Sequence, residues 1–136
     1  MMQTVRRALA ALALTAGVAA AQQPAAPDIS KQLLGTWEGP YQSEAAPPGS
    51  LRLTIAKGDK GEWKVTMIVL SDQPPPTGDI QEFTVQGNSL SWSQDIADMQ
   101  CKSTAQLVAG VLKGTAECSQ GGAVALTATF LLGKQP

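Results

Sequence analysis

The chain has 136 residues, 43% of them hydrophobic, with ten basic and eleven acidic side chains, two cysteines and no histidine. That size suits one domain with a modest core. The lack of histidine excludes imidazole metal sites and a Ser-His-Asp triad, and a net charge of −1 offers little to nucleic acid or anionic lipid.

Arg6 and Arg7 precede an apolar stretch over residues 8–18, followed by Ala19-Ala20-Ala21 before Gln22. This is the layout of a secretory signal peptide spanning residues 1–21, with cleavage expected between Ala21 and Gln22. An apolar run of about eleven residues falls short of the ~20 that a spanning helix needs, so no membrane attachment is expected after cleavage. The expected mature chain keeps eight basic and eleven acidic residues, a net charge of −3. Export would place it in the periplasm or outside the cell.

Residues 22–32 read as a flexible leader, rich in Pro, Ala and Gln at first and ending in a helical turn. Asp28 or Ser30 is the expected cap of that turn, which should set Ile29, Leu33 and Leu34 on one side. Residues 33–136 then form the domain. From Thr36 onward the pattern is alternation of apolar and polar residues, punctuated by Gly, Pro, Asn and Asp, which predicts eight strands.

The first strand carries Trp37, Gly39 and Tyr41 on one face. The second turns Leu51, Leu53 and Ile55 inward, and the third Trp63, Val65, Met67 and Val69, with Ile68 as an outward exception. Pro74-Pro75-Pro76 has no N–H to give a ladder and is expected to lie outside the sheet. Strands four and five meet around Gly87-Asn88, a pair suited to a two-residue hairpin, which would set Val85 against Leu90 and Phe83 against Trp92.

The next hairpin can be derived residue by residue. With Ala109-Gly110 as a two-residue turn, Val108 pairs with Val111, and counting outward puts Lys102 opposite Glu117 and Cys101 opposite Cys118. The pair that closes such a turn is hydrogen-bonded and the two pair types then alternate, so Cys101 and Cys118 form a non-hydrogen-bonded pair. There the facing Cα atoms approach to about 4.5 Å, within disulfide reach. Two cysteines in an exported chain predict a disulfide in any case, and its role is expected to be structural. The final strand alternates Val124, Leu126, Ala128, Phe130 and Leu132.

Eight sequential strands with short connections predict an all-β, up-and-down antiparallel barrel closed on itself, with an open two-sheet sandwich as the alternative. Gly35-Thr36-Trp37, after a helical turn, resembles the Gly-x-Trp signature that opens lipocalins and avidins. The fuller run continues through Gly39, Leu51-x-Leu53-x-Ile55, Asp72-Gln73, Leu112-x-Gly114 and Gln120-Gly121-Gly122. It resembles small bacterial lipocalin-like domains that stand alone or precede periplasmic serine hydrolases. The similarity spans nearly all of residues 33–132 and implies an eight-stranded barrel. Lipocalins carry an Arg near the chain end that packs across the first-strand Trp; here Lys134 stands in that region, and Arg52 is the only Arg of the expected mature chain. Avidin's ligand-binding residues find no match, so biotin is not implied.

No catalytic residue, metal site or cofactor is expected. Both cysteines are committed, no phosphate-binding glycine loop is present, and the Asp95 and Asp98 carboxylates fall on a strand connection. What remains is the barrel interior, where Trp37, Trp63, Met67, Phe83 and Trp92 supply bulk opposite a hairpin of small residues. These five are the candidate ligand-binding residues for a small apolar molecule. If instead they fill the barrel completely, the alternative is an interaction module, an inhibitor or accessory domain meeting an exported protein partner through the leader or the loop at residues 72–79.

Overall fold

The computed structural model describes residues 29–136; the expected signal peptide, its cleavage point and the leader through Asp28 lie outside the described residues. A single helical turn, α1 (Ser30–Leu33), leads into eight strands: β1 (Gly35–Ser43), β2 (Gly49–Lys57), β3 (Trp63–Leu70), β4 (Gln81–Gln86), β5 (Ser89–Ile96), β6 (Met99–Val108), β7 (Val111–Gln120) and β8 (Ala123–Lys134). All pairings are antiparallel, in the order β3-β2-β1-β8-β7-β6-β5-β4. The first and last strands therefore pair in the middle of the sheet, and the two free edges belong to β3 and β4. The result is an eight-stranded, nearly closed barrel with one seam.

The core follows from strand alternation. Trp37, Leu53, Ile55, Leu90, Leu112 and Leu132 are fully buried on the inner face, joined by Leu33 of α1. The β6–β7 ladder has the register expected from its turn, from Val108 opposite Val111 out to Cys101 opposite Cys118. Ala109 and Gly110 take φ values of 52° and 83°, the double left-handed geometry of a tight hairpin. Cys101 and Cys118 form the disulfide, with Cα atoms 4.0 Å apart.

Several expectations are corrected. The helical turn has Ile29 at its N-cap with no side-chain capping bond, and Ile29 and Leu33 are buried while Leu34 is 36% exposed. The chain becomes extended at Leu34, with ψ of 130°, which swings that side chain away from the helical face. Val124 is 57% exposed. Cys118 pairs with Leu126 but Ser119 pairs with Val124, so Ala125 is an extra residue that turns Val124 outward.

The β4–β5 hairpin keeps Val85 opposite Leu90 and Thr84 opposite Ser91, then shifts so that Gln81 meets Ser93. Glu82 and Phe83 therefore share the place opposite Trp92, in a bulge where Glu82 has a φ of 57°. The proline segment is not wholly outside the sheet. Pro76 has no N–H to donate, but its carbonyl accepts from Ala97 N at 2.8 Å, Thr77 bridges to Ile96, and Gly78 N donates to Asp95 O at 2.7 Å. This connection occupies the end of the free edge of β5, next to where β4 begins.

Candidate functional site

The inward positions of β5 are Leu90, Trp92 and Gln94, which are all buried. From Trp92 a chain of aromatic rings runs both ways. Its centroid is 6.3 Å from Phe83 on β4 and 6.2 Å from Phe130 on β8, and Phe83 meets Trp63 of β3 edge-on at 5.3 Å. The Trp63–Phe83 contact therefore crosses the seam where no backbone ladder does. Both rings are half-buried, and Lys57 Nζ lies 4.5 Å from the Trp63 ring centroid.

A second crossing is made by Gln94. Its Nε2 donates to Met67 O of β3 at 3.0 Å and to Gly78 O of the connecting segment at 2.9 Å. Two carbonyl acceptors account for both amide hydrogens and fix which end of the amide is nitrogen. The other end, Oε1, is buried with no hydrogen-bond partner, and so is Trp92 Nε1. An orphaned acceptor and an orphaned donor thus sit two residues apart on the inner face of one strand. Burying a polar group unpaired costs about 1–3 kcal/mol, so such groups call for an explanation. Ser103, also buried, lies opposite Trp92 on β6.

The five residues expected to line a ligand site fall in one hydrophobic core: Trp37, Met67 and Trp92 are buried in it, and Trp63 and Phe83 pack against it, with Trp63, Phe83 and Trp92 in ring contact. Trp37 has a further role. Its Nε1 donates to Leu33 O at 2.9 Å, Lys134 Nζ stands 5.8 Å from its ring centroid, and the same Nζ donates to Gln32 O at 3.0 Å. Trp37 thereby ties α1, β1 and β8 at one end of the barrel.

Gln94 was not anticipated from sequence, although alternation carried the signal: a polar residue falls in phase with Leu90 and Trp92 at an inward position. Asp95 and Asp98 are both exposed, but only Asp98 lies on the β5–β6 connection; Asp95 belongs to β5, where it pairs with Gln100, which corrects the expectation that both fall on a connection. Among the described residues, no group of three or more His, Cys, Asp or Glu side chains is placed to hold a metal ion.

The outer face has its own feature. One ladder row runs Thr84, Ser91, Thr104, Thr115, Thr129 and Gln42 across six strands. The row lines an open depression of about 910 Å³, with Val108 and Leu131 exposed at its sides.

No model of a known protein family matches the sequence, and no curated protein matches it. Among solved structures the chain is similar to a redesigned β-barrel, with a TM-score of 0.62 and 15% identity, covering 83% of this chain and 100% of that one. At that identity the likeness shows the fold alone, an all-β barrel of antiparallel strands.

Proposed function

We propose that the chain is an exported, non-catalytic, lipocalin-like barrel that binds a small hydrophobic molecule inside, admitted through the β3–β4 seam. The observation that carries this reading is the seam itself. Among the described residues it is the junction of strand edges that has no backbone ladder, and the rings that meet across it, Trp63 and Phe83, lead straight to the buried Trp92. Side chains can change rotamer at a fraction of the cost of breaking a ladder of backbone hydrogen bonds, so a guest enters there with least loss. The disulfide supports a periplasmic or extracellular setting, where such bonds persist.

The test is a titration with N-phenyl-1-naphthylamine, a neutral apolar probe. Saturable probe emission with quenching of tryptophan fluorescence is expected, and Trp63→Leu should weaken binding several-fold. Probe emission that rises linearly without saturation, with tryptophan emission unchanged, defeats the reading.

A separate observation favours an interaction module acting through the outer face. The depression over the Thr84–Gln42 row carries exposed Val108 and Leu131 and a single charged lining residue, Lys113. The loop at residues 72–79 is a poorer candidate for reaching a partner, since Pro76, Thr77 and Gly78 are bonded to the end of β5.

A further inference from the structure

Resting on the interior-ligand reading, we propose that the guest is a small apolar alcohol whose hydroxyl is held between Trp92 Nε1 and Gln94 Oε1. The two orphaned atoms are of opposite kind: the indole can only donate, and the amide oxygen can only accept. A group that satisfies both must accept one hydrogen bond and donate another at the same place. A hydroxyl does so with one oxygen.

Positions 92 and 94 are two apart on β5, so both side chains project to the same face of the strand. Both side chains point inward, and Gln94 is only 4% exposed, with its amide oriented by Met67 O and Gly78 O so that Oε1 is left over. The apolar remainder of the guest meets the rings of Phe83, Trp63 and Phe130, each linked to Trp92 directly or through Phe83.

Charged guests are disfavoured by the same atoms. A carboxylate has no proton for Gln94 Oε1, and an ammonium has no lone pair for Trp92. Gln94 and Ser103 are the only polar residues among the buried described residues, so no buried ionic partner offsets desolvation of a charge. A hydrocarbon leaves both orphans as they are.

The experiment compares benzyl alcohol, toluene and benzoate, which share one ring and differ in head group. Affinities are measured by displacement of N-phenyl-1-naphthylamine, and the Trp92 indole ¹H–¹⁵N signal is followed by NMR, assigned by its loss in Trp92→Phe. Benzyl alcohol should bind about tenfold more tightly than toluene and shift the Trp92 signal downfield, with benzoate weakest. Trp92→Phe keeps a ring and removes the donor. It should bring benzyl alcohol close to the toluene affinity measured on the same variant, removing the tenfold preference. Equal binding of toluene and benzyl alcohol to the unmodified protein, with the Trp92 signal unmoved, overturns the head-group assignment and leaves the interior site standing. Failure of all three to displace the probe, or failure of the probe itself to bind, removes both.

Discussion

β1 and β8 meet through a backbone ladder, from Trp37 opposite Lys134 to Ser43 opposite Ala128, whereas no ladder joins β3 to β4, and the Trp63–Phe83 contact and the Gln94 amide of β5 reach across there. The first junction is set by close approach: a Cβ on Gly39 would run into the Leu131 carbonyl, so the strands come together there only because position 39 is glycine. Around it Trp37, Leu33 and Lys134 lock the helical turn to the last strand. The second junction carries no ladder: residues 76–78 run along the end of the β5 edge ahead of β4, and the bulge at Glu82 and Phe83 adds twist at the start of β4. One barrel thus contains a closure specified by register and a closure made of movable side chains, and the latter is where an opening costs least.

The sharpest way to break this contrast is to remove an aromatic from each junction. Trp37→Ala should destabilise by about 3–5 kcal/mol, the range for deleting a large buried ring. Trp63→Ala, which deletes a half-buried one, should cost less than half as much. Urea unfolding of the two variants decides the matter, and equal losses would mean that the seam is as firmly built as the ladder.

Replacing both Cys101 and Cys118 by alanine comes next, with a loss of about 3 kcal/mol at most from the freed loop of the unfolded chain. Cys101 lies directly opposite Gln94 of β5, so the disulfide sits beside the residue that reaches across to β3. A drop in probe affinity in the same variant is therefore expected, and unchanged affinity would show that the seam holds its geometry without the hairpin.

The smallest of the three effects is expected for Gln94→Leu. It strips Met67 O and Gly78 O of their shared donor but also removes the orphaned Oε1, so the net cost should be about 1–2 kcal/mol. Hydrogen exchange should then quicken in β3 and in residues 76–78 while β6 and β7 keep their protection. Uniform quickening across all strands would mean that Gln94 supports the whole core and not the seam in particular.

Much of this was legible in residue order. A two-residue turn at Ala109-Gly110 settles every pair of the β6–β7 hairpin, since strand pairing propagates outward by one residue on each side. The alternation of Leu51, Leu53 and Ile55, or of Leu90 and Trp92, assigns inner and outer faces because side chains on a strand reverse with each residue. The disulfide follows from that register together with the chemistry of exported cysteines.

Three-dimensional packing decided the rest. Whether β3 pairs with β4 depends on how the twist of all eight strands brings the two outermost edges together, which local pattern does not rank. Leu34 and Val124 looked inward by periodicity, yet the extended conformation at Leu34 and the extra Ala125 reversed them. Residue order groups the aromatic side chains without assigning their contacts: Trp37 also secures the helical turn, while Trp63, Phe83 and Trp92 are in ring contact at the seam. Gln94 gained its meaning only when its amide was placed between two carbonyls from other parts of the chain. Local rules set strand, face and neighbour along the chain; which edges stay open, and which buried polar atoms are left unpaired there, is a property of the assembled barrel.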